Sequence, residues 1–276
     1  MIQRKIAVNI AAFCLGLLFV LTIAGHSFAQ QPARDSVSAP IRDAIRFQQS
    51  AQQAPIEAQG NCSRCRSDIV DLLVPIDDRA ENCPPHFSLT VRERPSFYVY
   101  IRKLAELKQL IGDNPPHFIL YDRQSSTSLY EANFSLPAES GIVQIDLPAN
   151  VTLEVGKPYA WAIEVVTSFG EIDDIVGWIE RIETPSTLSQ QLTATTNSID
   201  RARLYANAGI WYDALDTLVQ ARQNSDSREL QAQWASLFTS IDMNDVERAS
   251  ILSVEVNAAE PSQTAMPTVT RSVKCL

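Results

Sequence analysis

The hydrophobic pattern of the chain changes period once. Across residues 66–183 apolar side chains return at every second position. Phe97, Val99 and Ile101 alternate with Tyr98 and Tyr100, and Val143, Ile145 and Leu147 alternate with Gln144 and Asp146. Tyr159, Trp161, Ile163 and Val165 share one face of "YAWAIEV". Period two between Pro, Gly, Asn and Asp boundaries predicts strands. With "IVDLLVP", "HFSLTV", "HFILYDR", "TSLYEANF" and "IVGWIERI" the set reaches about eight. Closely spaced strands without long intervening helices predict an antiparallel β-sandwich of immunoglobulin or fibronectin III type, with "KLAELKQLIG" a short helix on its surface.

Residues 184–256 follow a helical period instead. Thr184 and Pro185 suit an N-cap and first helical position, and Leu188, Leu192, Ile199, Ala202 and Ala206 mark one face of the helix that follows. Gly209 is placed to end it, and Trp211, Ala214, Leu215, Leu218 and Val219 form the next stripe. Asp226 with Glu229 reads as a capping box before Leu230, Trp234, Leu237, Phe238 and Ile241, with a last short helix near residues 245–254. The expectation is a small antiparallel helical bundle following the sandwich.

The flanks have a different composition. Arg4 and Lys5 precede an apolar run over residues 6–24, and Ser27 and Ala29 fill the −3 and −1 places of a small-residue cleavage site. That is the pattern of a signal peptide over residues 1–29, so a periplasmic or secreted location is expected; membrane contact arises only through the leader if it stays uncleaved. Gln, Ala, Ser and Pro dominate residues 30–61, which read as a disordered spacer, although a short amphipathic turn fits residues 41–47. The body then divides into a sandwich at 62–183, a helical domain at 184–256 and a flexible tail at 257–276. The net charge is −9, and without Arg4 and Lys5 the balance is 21 basic against 32 acidic side chains, or −11. Nucleic acid is therefore not an expected partner, because a phosphate backbone needs a basic footprint.

The motifs "SFYVYI", "FILYD…LYEANFSLP…GIVQIDLP", "LEVGKPYAWAIEV", "VGWIERIE" and "YANAGIWYDALDTL" occur in that order. Over residues 69–252 this series resembles the cyanobacterial domain-of-unknown-function family numbered 928. The resemblance implies an exported protein and brings no catalytic residues with it. The cysteine group and both flanks lie outside the matching motifs. Within the series, "LEVGKPYAWAIEV" is similar to a strand of fibronectin III-like sandwiches, with Val155 where that pattern has Pro. "LYANAGIWYDALDTLVQA" is similar to one tetratricopeptide hairpin, and a single copy argues against a solenoid.

Candidate chemistry is thin. Cys62, Cys65, Cys83 and His86 have a spacing close to that of a structural zinc site. An oxidising compartment favours disulfides among Cys62, Cys65, Cys83 and Cys275 over the metal. "PPHF" occurs twice, and Pro-Pro before His86 and His117 reads as a blunted strand entrance with an exposed His ahead of a pair of metal or acid–base histidines. Glu171, Asp173 and Asp174 lack the ligand ladder of a calcium loop and read as a solvated turn. Tyr98, Tyr100, Tyr121 and Tyr130 could line a sugar-binding face, but packing against the helices accounts for them better. Trp161, Trp178, Trp211 and Trp234 are read as core or as the seam between strands and helices.

No nucleophile motif or phosphate loop accompanies the two histidines of the exported chain, and no cofactor is expected. The leading expectation is a non-enzymatic envelope protein that binds another protein. A carbohydrate-binding module for envelope polysaccharide is the alternative, and a hydrolase using Asp173 and Asp174 comes third. N-terminal sequencing of the protein recovered from cells is expected to begin at Gln30; a chain that still carries residues 6–24 would show the leader to be a retained anchor.

Overall fold

A computed structural model describes residues 44–55, 68–79, 85–123, 125, 127–170 and 172–259, all within one compact unit. It is a mixed α and β structure with two mostly antiparallel sheets and five α-helices. The eight expected strands are β1 (Val70–Leu72), β2 (His86–Thr90), β3 (Ser96–Ile101), β4 (His117–Asp122), β5 (Thr127–Phe134), β6 (Gly141–Asp146), β7 (Pro158–Val166) and β8 (Ile172–Arg181). Two short strands follow the helices, β9 (Ile251–Leu252) and β10 (Val256–Ala258). One sheet runs β1-β3-β6-β9 and the other β10-β5-β4-β7-β8-β2.

Two pairings depart from the antiparallel expectation. β2 runs parallel to β8, with His86 opposite Gly177, and β9 runs parallel to β6. The chain therefore returns to both sheets after the helices, and residues 256–258, whose last two were assigned to a loose tail, pair with β5. The sheets meet through aromatic side chains: the Phe97 ring on β3 is 5.1 Å from Phe118 on β4 and 4.9 Å from Trp161 on β7.

The helices are α1 (Leu104–Ile111), α2 (Ser186–Ala194), α3 (Ser198–Asn207), α4 (Trp211–Asn224) and α5 (Arg228–Thr239), followed by a 3-10 turn, Asn244–Arg248. α1 buries Leu104, Leu107 and Ile111. The single helix expected after Pro185 is two, broken at residues 195–197, because Asn197 Oδ1 accepts hydrogen bonds from the Ile199 and Asp200 N–H groups and starts α3 anew. α5 is capped by Ser227, whose Oγ accepts from the Leu230 N–H, while Asp226 instead accepts from the Gln231 side chain. The expected last helix is only the 3-10 turn, after which the chain becomes extended.

Part of the expected spacer is packed. Ile45 is fully buried, its N–H donates to Gln233 Oε1 at 2.7 Å, and the Phe47 ring stands edge-on to Trp211 at 5.3 Å. Arg79 holds the same segment from outside, donating to the Ser50 and Gln52 carbonyls at 2.6 and 2.8 Å. Burying one Ile side chain contributes about 1.5–3 kcal/mol, enough to fix a short polar strap that carries two such anchors.

Strands, helices and strap share one hydrophobic core. One tight point lies at Gly177, where an added Cβ would lie 2.7 Å from Trp161 Nε1 and 3.1 Å from Leu72 Cδ1. Gly177→Ala is expected to lower stability by about 1–3 kcal/mol in urea titration, the usual cost of overpacking. An unchanged midpoint would show that the two sheets can part there freely.

Candidate functional site

α4 carries two acids one turn apart, Asp213 and Asp216, and both are buried. β2 ends at Thr90, and the Thr90 hydroxyl accepts the Arg92 N–H at 3.1 Å, shaping a turn that aims both residues at the helix. Asp213 Oδ2 accepts the Thr90 hydroxyl at 2.7 Å and the Val91 N–H at 3.1 Å, and Oδ1 lies 3.3 Å from Arg92 Nε. Asp216 Oδ1 accepts the Tyr98 hydroxyl at 2.6 Å, and its Oδ2 accepts from Gln220 Nε2 at 2.8 Å and from Arg92 Nη1. One guanidinium thus bridges two carboxylates, and donors from both sheets reach them, while Asp213 Oδ1 accepts no hydrogen bond among the described residues.

The same helix reaches the sheets at two further points. Trp161 Nε1 donates to the Tyr212 hydroxyl at 2.8 Å, and Trp211 Nε1 donates to the Leu73 carbonyl at 2.6 Å. Burial, and then the Asp216 charge, hold the Tyr98 phenol above its ordinary range, so it serves as a donor. Burial likewise pushes Asp213 above its ordinary value; Thr90, Arg92 and Val91 oppose the shift.

Arg92 and Gln220 also line a polar surface depression of about 500 Å³, together with Asn197, Arg201, Thr217 and Ser227. Asp213 and Asp216 are not among its lining residues. The acids lie behind the guanidinium and amide that bind them, so the arrangement is a clasp between helix and sheets, with its charges turned inward.

The tyrosines proposed for an open face are mostly covered. Tyr98, Tyr100 and Tyr121 are buried and Tyr130 is half-buried. Tyr98 and Tyr100 lie on β3, in one sheet, and Tyr121 and Tyr130 on β4 and β5, in the other. All four tryptophans are buried: Trp161 and Trp211 join sheets to α4, while Trp234 packs within the helical layer, 4.8 Å from Phe238.

The histidines begin β2 and β4 as expected, but His86 is buried rather than exposed, with Nδ1 3.1 Å from the Val74 carbonyl. Its strand is flanked by β8 on one side and its backbone forms an antiparallel bridge with Ile76, neighbours that alternation alone does not reveal. His117 lies 3.1 Å from Glu131 and 2.8 Å from Asn133, and β7 and β8 stand between its strand and that of His86. Asp173 and Asp174 are strand residues of β8 opposite Val165 and Glu164, where a solvated turn was expected. Glu171, Cys62, Cys65, Cys83 and Cys275 lie outside the described residues. Among the described residues no group of three or more His, Cys, Asp or Glu could hold a metal ion, and no helix is long and apolar enough to cross a membrane.

Asp213, Asp216 and Arg92 escaped sequence reasoning. The available signal was two acids set among Trp211, Tyr212, Ala214, Leu215, Leu218 and Val219, a helix apolar on nearly every side.

Fold and clasp together define a mixed α and β protein whose helical layer is fastened to two sheets by buried charge. The family model for the Domain of Unknown Function DUF928 matches residues 51–251, and the chain belongs to that family. The match spans the positions of Cys62, Cys65 and Cys83, which the sequence motifs had left outside. No curated protein and no solved structure matches the chain.

The raised Asp213 carboxyl gives a signed pH dependence. The folded chain holds that proton more tightly than the unfolded chain, so the stability linked to it is full below about pH 4. It falls as pH rises above the ordinary 3.8 toward the folded value, by about 1.4 kcal/mol for each unit of elevation. In urea titrations from pH 4 to 7, the wild type is expected to lose stability relative to Asp213→Asn as pH rises. A difference that grows in the wild type's favour would show instead that Arg92, Thr90 and Val91 outweigh burial and hold the carboxyl below its ordinary value.

Proposed function

We propose that this is an exported, non-enzymatic protein of the cell envelope that works by binding another protein. The observation that carries the reading is Phe169, 90% exposed at the turn between β7 and β8. A large aromatic side chain in water is the kind of anchor from which a few residues supply most of an interface's affinity. The turn beneath it is braced. The Ser168 N–H donates to the Leu110 carbonyl at 2.8 Å, and Asn114 Nδ2 donates to the Val166 carbonyl at 3.2 Å. A braced turn loses little conformational freedom on binding, which lowers the cost of association.

The leader pattern at residues 1–29 supports export, and the inward-facing acids of the clasp support a role other than catalysis. In an oxidising compartment Cys62, Cys65 and Cys83 are read as a disulfide group. We read the two sheets as an immunoglobulin or fibronectin III-like sandwich, on the strength of "LEVGKPYAWAIEV". We read α3 and α4 as a tetratricopeptide-like hairpin, on the strength of Gly209, Tyr212 and Ala214 at its turn.

A photo-crosslinking phenylalanine analogue at position 169 is expected to give one discrete adduct in intact cells. Val155, also exposed, serves as the control position. Equal labelling at both positions, or none at 169, would remove the basis for this reading.

A further inference from the structure

We propose that a depression on the helical layer is a binding site for a doubly charged oxyanion of the phosphate class. Its volume is about 600 Å³, and Arg222, Arg228 and Arg248 line it with Gln231, Ala232 and Glu247. These side chains come from three elements: the last turn of α4, the first two turns of α5 and the 3-10 turn. The chain as a whole carries −9, with 32 acids available to 23 basic residues. Even so, none of the three arginines forms an ion pair or donates a hydrogen bond among the described residues.

Arg222 is the centre of the site. Its guanidinium stands 4.3 Å from the centroid of the Trp234 ring, and that ring is fixed by packing on Phe238 and by an Nε1 hydrogen bond to the Val246 carbonyl at 3.4 Å. The face of an indole attracts a cation but accepts nothing from the N–H groups at the edge of the guanidinium plane. Nη1 is closed off from solvent and finds no acceptor among the described residues. Burial accordingly pulls Arg222 below its ordinary range, with Asp226 opposing, and that acid already accepts from Gln231 at 2.6 Å. The residue as a whole is half-buried, and it is through its accessible part that Arg222 lines the depression.

Charge selects the ligand. Three guanidinium groups against Glu247 leave the lining at +2, which a dianion neutralises and a single carboxylate does not. Arginine's planar fork matches the oxygen spacing of phosphate, and the stack on Trp234 restricts the Arg222 head. Free phosphate and a phosphate ester share this chemistry.

The test is isothermal titration of the purified protein, as it accumulates in cells, at constant ionic strength in chloride. The titrants are inorganic phosphate, glycerol phosphate and glutamate. Saturable binding of one or both phosphates is expected. Tighter binding of glycerol phosphate identifies an esterified ligand, and tighter binding of inorganic phosphate a free one. Arg222→Gln should weaken the affinity at least tenfold. Because that residue also packs on Trp234, the exposed pair Arg228→Gln/Arg248→Gln supplies a second variant, also expected to lose at least tenfold. Wild-type affinity in the double variant, glutamate binding as tightly as phosphate, or no saturable heat would each overturn the proposal.

Discussion

A carboxylate taken out of water costs several kcal/mol unless other groups replace its hydration, and α4 takes two of them into the interior. Neither could be buried if the helix docked elsewhere. Asp213 needs the Thr90 hydroxyl and the Val91 N–H at the end of β2, and Asp216 needs the Tyr98 hydroxyl on β3 of the other sheet. Arg92 has to reach both acids at once. A slide of α4 by one turn would leave charges unpaired, whereas a purely apolar stripe would tolerate several registers. The hydrophobic side chains of α4 supply the attraction, and its acids select the position.

That selection explains how a helical segment without catalytic features earns its place in a strand-rich chain. Tyr212 and Trp211 extend the clasp with hydrogen bonds to Trp161 on β7 and to the Leu73 carbonyl after β1. α4 therefore touches both sheets, and the β-structure and the helices share a core where the sequence suggested two successive domains. The strap over residues 44–55 then packs on the helices through Ile45 and Phe47.

What was legible in the sequence follows the range of each signal. Eight strands could be read because period two is a local property, visible in "FYVYI" and "YAWAIEV" whatever lies beside them. Periodicity gives a strand its faces but not its neighbours, so the parallel partners of β8 and β6 were not visible. β9 and β10 are too short to show a period at all. The helix boundaries failed at single polar residues: Asn197 and Ser227 win the capping role through side-chain geometry that composition does not resolve. Ile45 and Phe47 lie in the stretch that suits a short amphipathic turn, but a local pattern says nothing of the pocket that receives them. The clasp was hidden for the same reason, since Asp213 and its donors lie about 120 residues apart in the chain.

The clasp also bears on the far end of α4. From Asp216 to Arg222 is six residues, about 9 Å along a helix that rises 1.5 Å per residue. The acids that fix the register of the helix therefore fix the origin of the Arg222 side chain, and Trp234 fixes its head. An arginine held at both ends loses little freedom when an anion arrives, so more of the interaction energy is expressed as affinity. Arg228 and Arg248, which are exposed, retain that freedom and would contribute chiefly charge. The contrast within one depression separates orientation, set by a rigid stacked guanidinium, from neutralisation, set by two mobile ones. Both trace back to a helix whose buried acids allow it a single position on the sheets.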